Sequence, residues 1–315
     1  MSQRYSEDEI IARVFAPIAG AAALGLEDDV ALLAPESAPI VVTTDMVVAG
    51  VHFFADDEPA LIAKKALRVN LSDLAAKGAE PIGFLLALAL PGDWTNDWLE
   101  AFAAGLAEDA RDYGAPLIGG DTGATPGPLT ISITALGRAP RFVSRAGAKA
   151  GDAIFVSGPI GDATLGLALR RDPALARRLS ADARDYLIGR YLLPQPRLDL
   201  SAWLTANASA AMDISDGLAG DLAKLCRASG VSAMVDLPSV PLSAAAREAI
   251  AIDPSLFEAA VTGGDDYEIL IAGREAAPPA PACRIGEIVA GNAPPVFLDA
   301  QKTPVLFKKP SFQHF

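Results

Sequence analysis

Hydrophobic positions recur along this chain with two different periods, and the changes of period mark its elements. Glu7–Phe15 repeats at helical spacing, and Ser6 with Glu9 three residues later makes a capping-box pattern at its start. Residues 39–48 are apolar and β-branched with one acid, Asp45, inside the run, which predicts a strand. From Glu58 to Lys77 alanines and leucines return at helical intervals until Gly78, a residue type that closes helices. Ile82–Leu90 (IGFLLALAL) is continuously apolar. It is about half the length of roughly twenty residues that a membrane-spanning helix needs, so it predicts a buried strand. Asn96–Tyr113 predicts an amphipathic helix with Trp98, Leu99, Phe102 and Leu106 inward. A Gly/Thr/Pro-rich stretch, Gly119–Pro128, then precedes an alternating strand, Leu129–Leu136.

The rhythm breaks at Arg138–Asp152, which is polar, basic and turn-rich. A domain boundary is expected there, with residues 1–137 as the first domain, 138–152 as linker and 153–315 as the second domain. Strand Ala153–Ser157 leads through Gly158-Pro159-Ile160-Gly161 into a helix from Asp162 to about Arg170. Helix 218–229, strand 232–237 and helix 243–250 follow, and Pro278–Pro281 forms a rigid spacer before a strand-rich C-terminus. Strands alternating with helices in both halves predict an α/β (α+β) fold.

Composition narrows the function. With 51% hydrophobic residues the chain has ample core material, which excludes a disordered or disulfide-stapled protein. Twenty-six basic against thirty-nine acidic residues give a net charge of −13. Such a field repels nucleic acid and anionic lipid, so neither nucleic acid nor membrane is expected as a partner. A phosphate-bearing ligand would then have to be met through metal ions. Two cysteines, Cys226 and Cys283, without a CxxC spacing, and an N-terminus without an apolar signal core, predict a cytoplasmic protein. Only His52 and His314 are present, which excludes a multi-histidine zinc site. The P-loop, protein-kinase and nucleophile-elbow motifs are absent.

The acids are the informative residues. Asp28-Asp29 precede an apolar run, Asp45 lies in a strand and Asp73 in a helix. Asp121 follows Gly119-Gly120, Asp213 and Asp216 flank Ser215, and Asp265-Asp266 follow Gly263-Gly264. Singly, each reads as a cap, an Asx turn or a rim residue. As a group, with few basic residues near them in sequence, they call for cations, and oxygen-only ligands point to several Mg²⁺ ions completed by phosphate. Gly119-Gly120 and Gly158-x-x-Gly161 add backbone N–H groups that could approach an anion.

In order along the chain stand Gly25-x-x-Asp28-Asp29-x-Ala31-Leu32-Leu33, Thr43–Phe53 (TTDMVVAGVHF), Lys65–Pro81, Gly119-Gly120-Asp121-Thr122, Met212–Leu218 (MDISDGL), Gly263–Glu268 (GGDDYE) and Ser311–Phe315. This series resembles the thiamine-monophosphate kinase family. The resemblance implies two α/β domains like those of aminoimidazole ribonucleotide synthetase, with the N-terminal sheets pairing across a homodimer. It implies direct transfer of the γ-phosphoryl group of ATP, as co-substrate, to thiamine monophosphate, giving thiamine diphosphate. By the same resemblance Asp29, Thr43, Thr44, Asp45, Asp73, Asp121, Asp213 and Asp216 match magnesium positions, with Asp45, Asp121, Asp213 and Asp216 at the reacting phosphates. Tyr113, Gly120, Asp121, Arg145 and Ser215 match nucleotide contacts, and His52, Asp265 and Phe312 match thiamine-phosphate contacts. One departure stands out: the family motif usually has Glu where this chain has Asp265. Read without the resemblance, His52 is an ordinary half-buried histidine, Arg145 a solvated linker residue and Tyr113 core packing. Two other functions remain open at this stage: a non-catalytic nucleotide- or Mg²⁺-binding module, and a sister synthetase that activates a carbonyl oxygen or selenide with ATP.

Overall fold

Strand and helix alternate twice along the chain, building one sheet in each of two units. The computed structural model describes residues 4–26, 33, 38–274, 278–279, 281–309 and 311. The first unit comprises residues 1–74 and 79–140, and the second residues 75–78 and 141–315.

In the first unit, α1 (Glu7–Ile10) continues as a π-helical turn, Ile11–Phe15. Its capping box forms as the sequence predicts: the Glu9 N–H donates to Ser6 Oγ at 3.3 Å and the Ser6 N–H to Glu9 Oε2 at 3.0 Å. Then come β1 (Ile40–Val48), α2 (Pro59–Ala76), β2 (Glu80–Leu90), α3 (Asn96–Asp112), β3 (Leu117–Ala124) and β4 (Thr130–Arg138). The four strands are ordered β1-β4-β2-β3, with β3 parallel to β2 and the other pairs antiparallel. Alternation gives the sheet two faces. Ile131, Ile133, Ala135, Phe84, Leu86 and Leu88 are buried on one face, and Leu67, Leu71 and Leu74 of α2 with Leu99, Phe102 and Leu106 of α3 are buried as well. The other face carries exposed Val42, Met46 and Leu85. The Gly/Thr/Pro-rich stretch 119–128 is in part a strand. Residues 119–124 belong to β3, because Gly120 lets that strand approach β2 so closely that a Cβ there would run into the Leu86 carbonyl.

The second unit contains β5 (Ala153–Val156), α4 (Asp162–Arg171), α5 (Pro173–Ala176), α6 (Ala181–Leu192), α7 (Ser201–Asn207), β6 (Ala208–Asp213) and α8 (Leu218–Ser229). It continues with β7 (Ser232–Asp236), α9 (Ala244–Ile252), α10 (Leu256–Thr262), β8 (Ile269–Gly273), β9 (Cys283–Val289), β10 (Val296–Leu298) and β11 (Pro304–Val305). Its seven strands run β11-β10-β7-β9-β5-β8-β6. Leu218, Leu222, Leu225 and Cys226 of α8 pack with Ile154, Val156, Met212 and Leu270 of the sheet. A second apolar layer joins Leu165 and Leu169 of α4 to Leu187 of α6 and Ala246 of α9. Cys226 is buried there as a small hydrophobe, its thiol pushed up to about 11 by burial.

Candidate functional site

In the first unit the edge strand β1 meets α2 through polar side chains. Thr43 Oγ1 donates to Asp73 Oδ2 at 2.5 Å, and the Asp45 N–H donates to Asn70 Oδ1 at 2.9 Å. Asn70 is fully buried and anchored in turn by donation from its Nδ2 to the Ala66 carbonyl at 3.0 Å. Thr43, Asp45 and Asp73 are thus gathered from positions thirty residues apart in sequence by one strand–helix contact. Asp45 is exposed as a residue, while its carboxyl lies on the α2 side of the strand beside Asp73. Burial first, and the neighbouring Asp73 charge second, push that carboxyl up to about 6. Two neighbouring carboxylates beside a hydroxyl, with oxygen donors only, suit a hard divalent cation.

Thr44 points to the other face of the sheet, where it accepts from Thr134 Oγ1 at 3.1 Å and donates to the Ile133 carbonyl at 3.1 Å. Asp121 is on that other face too, since it pairs with Ala87, which pairs with Ser132 and through it with Met46. It sits on β3, three strand spacings of about 4.8 Å from β1. Within one chain Asp121 therefore does not join Asp45 and Asp73. Gly120 and Asp121 line a cavity of about 810 Å³ with Tyr5, Phe15, Leu85 and Thr134. Tyr113 is the C-cap of α3, and the Arg68 guanidinium lies 5.5 Å from its ring centroid, while Arg68 Nε bonds Asp109 at 2.6 Å. His52 follows β1 and accepts the Val48 N–H on Nδ1 at 3.0 Å.

In the second unit Asp213 is the buried last residue of β6. Ser215 and Asp216 follow in a tight turn, and Gly217, at φ +104°, packs against the Thr262 backbone. Asp216 is not short of cations: Lys224 Nζ donates to it and, at 2.7 Å, to Asp221. The expectation that these acids lack basic neighbours fails here, because α8 folds Lys224 back over the turn. Burial opposes the charge on Lys224, yet the two aspartates overcome it and raise the ammonium. Ser311 Oγ donates to the Asp216 carbonyl at 3.4 Å, which brings Ser311 to this turn. Phe312 and Asp29, like Asp28, lie outside the described residues. Arg145 is exposed, and its carbonyl accepts from Ser229 Oγ at 2.9 Å.

The 263–268 turn docks on the same loop. The Asp265 N–H donates to the Ser215 carbonyl and the Tyr267 N–H to the Ile214 carbonyl, both at 2.9 Å. Gly161 was expected to offer its N–H to a bound anion. Instead it donates to Asp266 Oδ2 at 2.8 Å, so the start of α4 is occupied by an acid of this chain. Gly158 likewise serves close packing, for a Cβ there would press on the Glu268 carboxylate and Arg197. Residues that sequence reasoning left unassigned emerge here: Glu268, fully buried, accepts from Ser157 Oγ at 2.5 Å, Arg190 at 3.0 Å and Arg197 Nε at 2.7 Å. Nothing in the local sequence announces Arg190 and Arg197 as its partners. Among the described residues no three His, Cys, Asp or Glu side chains converge as a ready metal cage. No described helix is long and apolar enough to cross a membrane.

Comparison with known proteins adds the following. Residues 27–139 match the family described as AIR synthase related protein, N-terminal domain, and residues 149–299 match its C-terminal domain. A thiamine-monophosphate kinase of Caulobacter vibrioides is 42% identical over 275 residues, 85% of this chain and 76% of that protein. The crystal structure of the Aquifex aeolicus thiamine monophosphate kinase superposes with a TM-score of 0.78 at 32% identity, covering 87% of this chain and 91% of that one. A structure described as AaThiL complexed with AMPPCP and TMP superposes with a TM-score of 0.79 at 29% identity, covering 98% and 94%.

Proposed function

Since this chain belongs to the thiamine-monophosphate kinase family, we propose that it transfers the γ-phosphoryl group of ATP to the phosphate of thiamine monophosphate, forming thiamine diphosphate and ADP. The observation that carries the reading at the level of residues is the Asp45–Asp73 pair, with Thr43 hydrogen-bonded to it, at positions where the resemblance puts metal ligands. Two polyanions must meet on a protein of net charge −13, so cations have to stand between them. Asp45, Asp73, Asp121, Asp213 and Asp216, with Thr43 and Thr44, are the proposed holders of Mg²⁺. Bound there, Mg²⁺ would supply charge neutralisation to the phosphates. The chain's own part is positioning. Asn70 holds the Asp45 backbone, Lys224 holds Asp216, and the turn carrying Asp265 lies against Ser215. Gly120, Tyr113, Arg145 and Ser215 are proposed on the ATP side, and His52, Asp265 and Phe312 on the thiamine side. Two free cysteines suit work in the cytoplasm.

A homodimer is part of the proposal. Val42, Met46 and Leu85 expose apolar surface on one sheet face, and Thr44 and Asp121 lie on that face at opposite edges. A second copy docking there would cover the apolar side chains and could set Asp121 of one chain beside Thr44 of the other.

Product analysis tests the reaction. Incubation with ATP, Mg²⁺ and thiamine monophosphate should yield thiamine diphosphate and ADP in equal amounts, and excess EDTA should stop it. Turnover undiminished by EDTA removes the metal reading, and absence of thiamine diphosphate removes the kinase.

A further inference from the structure

The turn that presents Asp265 is backbone-strained, and two acids within it, Asp266 and Glu268, are buried beneath it. Gly264, Asp265 and Tyr267 have φ of +87°, +63° and +53°. For two non-glycine residues within three positions this is unfavourable and persists only if the surroundings impose it. At Gly264 a side chain is excluded altogether, since a Cβ would meet the Ser215 carbonyl. Side chains alternate along the turn: Asp265 and Tyr267 are part-exposed, while Asp266 is 1% and Glu268 0% exposed. The outward pair stays together, with Tyr267 Oη 3.4 Å from Asp265 Oδ1. The inward pair is anchored in the body of the second unit. Asp266 Oδ2 accepts the Gly161 N–H at 2.8 Å, and Glu268 takes Ser157, Arg190 and Arg197. A third tie comes from α4, where Thr164 Oγ1 donates to the Gly264 carbonyl at 2.7 Å.

Asp266 is an expensive residue to bury. Its Oδ1 has no hydrogen-bond partner, and burial first, with the Asp162 and Glu268 charges behind it, raises its carboxyl in spite of the Gly161 N–H and the Arg190 charge. A carboxyl kept at such cost, one residue after the proposed thiamine-phosphate contact, needs a compensating role. We propose that Asp266, through its bond to the N-terminus of α4 and together with Thr164, is the positioning residue that holds the left-handed turn and so aims Asp265 at the thiamine-phosphate side of the site. This rests on the substrate role proposed for Asp265.

The test is steady-state kinetics on the full-length enzyme with each substrate varied in turn. Asp266→Ala should raise the apparent KM for thiamine monophosphate about tenfold or more and leave that for ATP within about twofold. Asp266→Asn keeps an oxygen for the Gly161 N–H and should stay within about threefold of the parent. Thr164→Val keeps the shape and removes one bond from the helix side. It should raise the thiamine-monophosphate KM about three- to tenfold, which serves if Asp266→Ala does not fold. Asp265→Ala is the reference variant. If it raises that KM while Thr164→Val and Asp266→Ala do not, the positioning role is overturned and the substrate reading stands. If Asp265→Ala itself leaves the KM unchanged, the substrate reading falls and the positioning role with it. Equal damage by Asp266→Asn and Asp266→Ala, or an equal rise for both substrates in Asp266→Ala, overturns the bond to Gly161 as the means.

Discussion

Asp45 shows how much a single side chain can report. Its carboxyl titrates at about 6 against an ordinary 3.8, because burial and the Asp73 charge disfavour the ionised form. A folded-state value above the unfolded one means that ionisation opposes folding. That opposition is absent below about pH 3.8, grows between the two values and is complete above about pH 6. Metal-free Asp45→Asn should therefore melt higher than the parent at pH 7.5, with the gap closing as pH approaches 4, in thermal unfolding followed by circular dichroism. The same variant should lose at least about a hundredfold in turnover, as removal of a charge-stabilising group at a phosphoryl site does. Near-normal turnover would make Asp45 structural. Asp265 differs in kind. Its φ of +63° suits Asp better than Glu, since short polar side chains tolerate the left-handed region. Asp265→Glu should keep or improve thiamine-monophosphate binding by its longer reach while melting slightly lower than the parent. Of these residue-level facts the motifs made Asp45, Asp73 and Asp265 legible. Lys224 over Asp216 and the arginines on Glu268 were not, because their contacts are made by the fold between positions that no local pattern links.

Elements followed the hydrophobic rhythm wherever that rhythm was strong. α2, β2, α3, β4 and α8 lie within one or two residues of where periodicity sets them, and Ser6 and Thr95 cap their helices. Where the pattern is diluted by charge, as in α6 (ADARDYLIGRYL), or too short to show a period, as in α7 and α10, the sequence does not announce the helix. Residues 119–124 failed for another reason. Their glycines argue against a strand on propensity, and only the close approach of β3 to β2 makes glycine the residue that fits. A paired substitution in this one strand tests the account by urea unfolding. Gly120→Ala should cost about 1–3 kcal/mol or more, because its Cβ meets the Leu86 carbonyl. Gly123→Ala, with open space at the same atom, should stay within about 0.5 kcal/mol. Equal costs would mean that chain entropy, not the strand approach, sets the preference.

At the scale of the whole molecule, two features bear on assembly: a net charge of −13 and a sheet face left apolar. Met46, 56% exposed, lies in the second half of β1 on that face. Met46→Lys should shift the sedimentation coefficient from dimer to monomer at micromolar concentration, whereas an unchanged coefficient would place any dimer contact elsewhere. Charge and composition give the expectation of cations, but they could not say how the acids are shared out or that Lys224 would neutralise Asp216. The opposite edges held by Thr44 and Asp121 have a genetic consequence. If two copies must face each other to complete a site, a gene carrying Thr44→Val and a gene carrying Asp121→Asn should each fail alone yet rescue growth together. Random pairing would make half of the dimers mixed, each with one intact site, so about a quarter of normal activity should return. Two alleles that stay silent in the same cell would instead mean that every chain works with its own residues.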